Sequence, residues 1–152
     1  MINRDRKLNR CQDWDYTSPG YYFVTICVQD KKWVMAYVVD GKMVQNGLGY
    51  AIAKVWENLP NHYQNCVLDE YVFMPDHFHG ILKLVDSAKK YSLSEIVRGF
   101  KTFSSREINQ VMFGGFRWQK SFHDRIIRNE IELGKIRDYI RNNPEKLGNS
   151  FG

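Results

Sequence analysis

Hydrophobic and polar positions along the chain sort into strands and helices. Gly20-Tyr-Tyr-Phe-Val-Thr-Ile-Cys-Val28 is rich in β-branched and aromatic residues and predicts a well-buried strand. Trp33–Val39 and Lys42–Gln45 flank Asp40-Gly41, a dipeptide that favours the two-residue turn of a hairpin. From Asn46 or Gly47 the pattern becomes helical, with Leu48, Ile52, Val55 (or Ala51) and Leu59 at helical spacing; Pro60 is expected to stop this helix. Cys66–Met74 and His77–Val85 read as two strands broken at Pro75-Asp76. Ser92-Leu-Ser-Glu95 fits a capping box, and Leu93, Ile96, Val97, Phe100 and Phe103 form the apolar stripe of the helix it opens. Gly114-Gly115 interrupts the chain and a short strand is expected near Arg125–Arg128. Asn129 then caps a last helix over Glu130–Asn142, stopped by Pro144.

The order strand, helix, strand, strand, helix, strand is that of a ferredoxin-like split βαβ fold. The expected class is therefore α+β, an antiparallel sheet with helices on one face and an extra C-terminal helix. No repeat or linker divides the 152 residues, so one domain is expected over 1–152, with 1–19 as a basic, mobile leading segment.

Composition removes several classes. A hydrophobic fraction of 43% can fill a core, which excludes a disordered chain. No apolar run is long enough to span a membrane, and the start MINRDRKLNR has no apolar signal segment. Cys11, Cys27 and Cys66 are odd in number and contain no CxxC, which points to reduced thiols in the cytoplasm and away from a structural zinc site. The net charge of +5 conceals an asymmetry: +3 over residues 1–10, −4 over 11–86 and +6 over 87–152. In the basic second half, cations alternate with rings (Arg98, Phe100, Lys101, Phe103, Arg106, Phe116, Arg117, Trp118), as a single-stranded nucleic-acid surface requires. A solvated basic face over an aromatic core has the same composition.

The sharpest chemical feature is Met74-Pro75-Asp76-His77-Phe78-His79-Gly80. On a strand, His77 and His79 point the same way and Phe78 the other, so two imidazoles form half of a metal site. Asp76 falls on the adjoining turn, where it can orient a histidine or ligate directly. His62 and His123 are further ligand candidates if the fold brings them near. On the last helix, Tyr139 and Asn143 lie one turn apart on one face, while Leu133, Ile136 and Ile140 supply an apolar docking stripe.

Three blocks occur in order: Tyr71-Val-Phe-Met-Pro-Asp-His-Phe-His-Gly80, Trp118-Gln-Lys-Ser-Phe-His-Asp-Arg-Ile-Ile-Arg-Asn-Glu130 and Tyr139-Ile-Arg-Asn-Asn-Pro144. Together they resemble the single-tyrosine HUH transposases, and more narrowly the REP-associated tyrosine transposase branch of the insertion-sequence 200-like group. The resemblance runs from about Gly20 to Pro144. It implies a divalent cation, Mg²⁺ or Mn²⁺, held by His77 and His79, with Asn143 where classical members have Gln; Asn is one methylene shorter. It implies that Tyr139 attacks a DNA phosphodiester and forms a 5′-phosphotyrosine, on single-stranded DNA folded into a hairpin. It places His123 and Arg125 near the active site without a role, and it allows a monomer or a homodimer. Arg98 and Lys101 on the cationic side of the 92–110 helix, with Arg4 and Arg6, are candidates for phosphate contacts. The residues alone leave two other readings open. One is a non-catalytic single-stranded nucleic-acid-binding module with structural histidines. The other is a metallohydrolase using His77, His79 and His123; zinc nucleobase deaminases are excluded because HxE and PCxxC are absent.

Overall fold

The computed structural model describes residues 13–29, 35–112 and 115–142. Its centre is a four-stranded sheet in the order β4-β5-β1-β6, built from β1 (Gly20–Cys27), β4 (Cys66–Phe73), β5 (His77–Leu84) and β6 (His123–Ile127). Every adjacent pair is antiparallel. β1 and β4 therefore run parallel with β5 inserted between them, and β5 and β6 run parallel with β1 inserted between them. A separate hairpin of β2 (Ala36–Val39) and β3 (Lys42–Gln45) turns at Asp40 and Gly41. Both have positive φ, +51° and +75°, which is the geometry a primed two-residue turn demands and Asp-Gly tolerates.

The alternation of β1 gives the sheet its two cores. Tyr22, Val24 and Ile26 face one side with Phe78, Leu82 and Leu84 of β5, under helices α1 (Gly47–Glu57) and α3 (Leu93–Val111). Phe23 faces the other side with Ile81 and Ile127, and is covered by Leu133, Ile136 and Ile140 of α4 (Glu130–Arg141). Burial on both faces is why the 20–28 run shows no polar alternation. Two helices thus occupy one face and the C-terminal helix the opposite one. Gly80 sets the approach on the first face. A Cβ there would lie 2.7 Å from the Trp56 ring, which packs edge-on against Phe78 at 4.5 Å and Phe100 at 5.4 Å.

Three expected details differ. Pro60 does not stop α1: the helix ends at Glu57, capped by Asn58, and Pro60 sits in the first turn of a short helix α2 (Leu59–His62). Proline is tolerated there because that N–H has no helical partner to lose. The buried face of α1 is Gly49, Ile52, Ala53 and Trp56, so the helix is rotated towards Trp56 and leaves Leu48 and Val55 half-buried. In α3 the buried stripe passes from Phe100 to Ser104 and Ile108, leaving Phe103 half-buried. The Ser104 hydroxyl donates to the Phe100 carbonyl and accepts from the buried Trp118 indole at 2.8 Å, which makes a polar residue acceptable in the core.

Capping followed the sequence. The Ser92 hydroxyl accepts from the Glu95 amide, and the Asn129 side chain accepts from the Glu132 amide. Residues 13–19, expected within a mobile leading segment, pack on the sheet: the Trp14 indole donates to the Tyr22 hydroxyl at 2.9 Å, which donates to the Ser18 carbonyl. Residues 1–12 lie outside the described residues.

Candidate active site

Two rows of side chains share the α4 face of the sheet next to the residues the helix packs on. Register pairs Thr25 with His79 and Cys27 with His77, so these four residues share the α4 face, as the strand alternation of the two histidines predicts. Beyond them lie Phe23 and Ile81, under the helix. The imidazoles are adjacent, with ring centroids 4.7 Å apart and planes at 81°. His79 is 7% exposed, stacked on Phe23 at 5.4 Å and met edge-on by the ring of Tyr139 at 5.6 Å. Tyr139 reaches it from the same chain, because Leu133, Ile136 and Ile140 dock α4 across Phe23, Ile81 and Ile127.

Each imidazole is oriented through its Nδ1. His77 Nδ1 lies 2.8 Å from Asp76 Oδ1, and a carboxylate accepts only, so Nδ1 donates and Nε2 is the nitrogen left for a metal. His79 Nδ1 shares a 2.9 Å hydrogen bond with the Thr25 hydroxyl, which can accept in the same sense. Burial pushes the His79 pKa down to about 3, with the neighbouring His77 adding to the effect. His79 is therefore neutral at physiological pH, the state a metal ligand needs. Two imidazoles, each with its Nδ1 occupied by a hydrogen-bond partner, fit a divalent transition-type cation as a pair of nitrogen donors. Among the described residues no His, Cys, Asp or Glu completes a group of three around them. Asn143, the expected further donor, lies outside the described residues, as do Arg4 and Arg6.

The remaining candidates divide. β6 pairs His123 with Thr25 and Arg125 with Phe23, so both project on the α4 face, one strand beyond β1. His123 is exposed; Arg125 Nε donates to Glu132 Oε1 at 2.9 Å, tying β6 to the first turn of α4. His62 is not brought to the site. It packs against Phe103 at 4.7 Å, beside a groove of about 580 Å³ between α1 and α3 that also includes Lys54 and Arg106, on the far side of the sheet. Arg98 is exposed on α3. The Lys101 ammonium donates to the carbonyls of Gln119 and Ser121 at 2.7 and 2.9 Å, anchoring the segment that leads into β6. Thr25 and Phe23 escaped the sequence reading. The available signal was Thr25 itself, the one hydroxyl between Phe23 and Cys27 in an otherwise apolar run.

A paired-histidine strand in an antiparallel α+β sheet, with a tyrosine presented from a C-terminal helix, defines the class of protein. Residues 21–143 match the family described as IS200-like transposase, and the chain belongs to that family. The branch inferred from the three sequence blocks is supported as well. A Haemophilus influenzae protein provisionally named a REP-associated tyrosine transposase is 28% identical over 145 residues, covering 88% of this chain and 75% of its own. A second H. influenzae protein, of uncharacterised function, is 31% identical over 160 residues, covering 91% and 88%. In fold, the chain is similar to a REP-associated tyrosine transposase solved bound to a REP hairpin (TM-score 0.66, 19% identity, 91% of this chain and 74% of that one). It is also similar to a provisionally named transposase of Deinococcus radiodurans R1 (TM-score 0.55, 17% identity, 88% and 95%). No helix among the described residues is long and apolar enough to cross a membrane.

Proposed function

We propose that this transposase cleaves and rejoins single-stranded DNA at a hairpin, with Tyr139 as nucleophile and a divalent cation, Mn²⁺ or Mg²⁺, at His77 and His79. The observation that carries the reading is the convergence within one chain of the Tyr139 ring and the buried, Nδ1-pinned His79. Tyr139 Oη attacks the phosphorus, the P–O3′ bond breaks, and the products are a 5′-phosphotyrosine and a free 3′-OH; the phenolic proton is given up and the leaving 3′ oxygen takes one. A phenol with pKa near ~10 attacks poorly unaided, so the site has to favour the transition state. A cation held by His77 and His79 would supply neutralisation of the charge that develops on the phosphate. Thr25 and Asp76 occupy Nδ1 of the two imidazoles and so leave Nε2 for the cation, while Phe23 packs against both the His79 and the Tyr139 rings. Asn143, four positions after Tyr139 in the sequence, would add an oxygen donor. Because the covalent linkage conserves the energy of the broken bond, a second 3′-OH can reverse the step and join strands.

The hairpin partner is suggested by the REP hairpin bound to the structural relative. Arg98, Arg4 and Arg6 are the residues we assign to phosphate contacts; Lys101, also a candidate, holds the 119–121 segment through two backbone carbonyls. With Tyr139 and the histidines in one chain, a monomer holds the elements of a site. Among the described residues Cys27 and Cys66 are free thiols, in keeping with the cytoplasmic, nucleoid-associated role we propose. A hairpin-bearing oligonucleotide with Mn²⁺ should yield an adduct that survives denaturation and is lost in Tyr139→Phe. Hydrolysis without an adduct would instead favour the metallohydrolase.

A further inference from the structure

The nucleophile helix is held by a device that the chemistry above does not use. On β4 the register runs Cys66↔Leu84, Val67↔Lys83, Leu68↔Leu82 and then jumps to Tyr71↔Gly80. Asp69 and Glu70 together oppose Ile81, which is a β-bulge. In a regular strand two successive side chains would face opposite sides of the sheet. The bulge turns both carboxylates to the α4 face. Arg137 and Arg141, one turn apart on α4, meet them: Arg137 donates from Nε and Nη2 to the two oxygens of Asp69 at 2.9 and 2.6 Å, and Arg141 Nη2 donates to Glu70 Oε1 at 2.7 Å. The Arg137 guanidinium also lies over the Tyr21 ring, 5.8 Å from its centroid.

The apolar stripe of α4 cannot fix the helix by itself. Contacts of Leu133, Ile136 and Ile140 with Phe23, Ile81 and Ile127 are non-directional and tolerate small slides and rolls. A bidentate guanidinium–carboxylate pair has one favoured geometry. Tyr139 lies between the two arginines in sequence, so the pose they impose is the pose of its ring against His79.

We infer that Asp69 and Glu70, brought to one face by the β4 bulge, are positioning residues that set Tyr139 against His79 through Arg137 and Arg141. The inference rests on Tyr139 being the nucleophile. A misplacement of about 1 Å in a reacting group costs on the order of a hundredfold in rate. The Asp69–Arg137 pair under test is partly buried, with Asp69 16% and Arg137 31% exposed, so breaking it lowers stability as well as disturbing the helix. Rates are therefore compared in variants shown by urea unfolding to be folded at the assay temperature, where a lost fold does not contribute.

The variants are Asp69→Asn, Arg137→Gln and the reversed pair Asp69→Arg with Arg137→Asp, each in the full chain. With saturating hairpin DNA and Mn²⁺, the single-turnover rate of adduct formation should fall about tenfold or more in either single variant. The DNA and Mn²⁺ dissociation constants should stay within about twofold of the parent, and the reversed pair should recover most of the lost rate. Parental rates in the folded single variants would overturn the inference, as would a reversed pair no faster than they are. A second readout needs no activity. The nuclear Overhauser contact between the Tyr139 and His79 rings of the free protein should weaken in Asp69→Asn and return in the reversed pair; an unchanged contact would also overturn it. If the parent forms no adduct, the nucleophile assignment fails by itself, and the ring contact still decides whether the clamp sets the helix.

Discussion

Replacing Thr25 by Val keeps the shape of the side chain and removes the partner of His79 Nδ1. The structure fixes how much this should matter. The Thr25–His79 hydrogen bond is 2.9 Å long, and His79 is 7% exposed, so little water can replace the lost hydroxyl. A buried polar atom left unpaired costs about 1–3 kcal/mol. Part of that cost falls on the tautomer: without an acceptor at Nδ1, the proton is no longer held away from Nε2, the nitrogen that would bind the cation. Loss of such an orienting partner typically lowers metal affinity by about 10–100-fold, or about 1.4–2.7 kcal/mol, the same range. Mn²⁺ titration of parent and variant, by calorimetry or by the paramagnetic resonance signal of free Mn²⁺, measures this directly. Thr25→Ser, which restores the hydroxyl, should return close to the parent. A folded Thr25→Val protein that binds Mn²⁺ within about twofold of the parent would refute both the tautomer argument and the role of His79 Nε2.

Other consequences follow from burial and charge. Arg137, hydrogen-bonded to Asp69, holds that carboxyl below its ordinary 3.8, against the opposing pull of burial. Its contribution is therefore complete above about pH 4 and is lost as pH falls through the lowered folded value; acid titration of stability should be shallower for Asp69→Asn than for the parent. Gly80→Ala places a methyl 2.7 Å from the Trp56 ring and 2.9 Å from Phe78, and should destabilise the protein by about 1–3 kcal/mol in urea unfolding. A wild-type midpoint would contradict the packing of that face. The Cys66 thiol is buried and pushed up to about 12 by desolvation, so at pH 8 a thiol reagent should modify Cys66 only on unfolding. Rapid labelling of Cys66 in the native protein would refute that burial.

Much of this architecture was legible because it depends on period. The stripe of Leu133, Ile136 and Ile140 and the common face of His77 and His79 follow from spacings of 3.6 and 2, and both are met. Errors arose where one large or small residue outweighed the period. Trp56 and Gly49 rotated α1, and Ser104 replaced Phe103 in the α3 stripe because its hydroxyl had two partners in the core. The bulge at Asp69 and Glu70 left no mark in the pattern, since a slip of one residue carries no compositional signal. Neither did the meeting of Tyr139 with His79, which are 60 residues apart in the chain. The family resemblance named both residues but, allowing a monomer or a homodimer, left open whether they meet within one chain; the sheet order and the docking of α4 bring their rings together there. Thr25 was visible as an odd hydroxyl in an apolar run, but its partner is known only once the register of β1 and β5 is known.

The central claim is that Tyr139 forms a covalent bond to DNA beside the two histidines. A hairpin-bearing single-stranded oligonucleotide labelled on the 3′ side of its cleavage site, incubated with the protein and Mn²⁺, reports this on a denaturing gel. The account predicts a labelled protein band whose digested peptide carries the nucleotide on Tyr139, and no such band for Tyr139→Phe or for the His77→Ala, His79→Ala double variant. An adduct of undiminished yield in Tyr139→Phe, or one mapped to another residue, would contradict it.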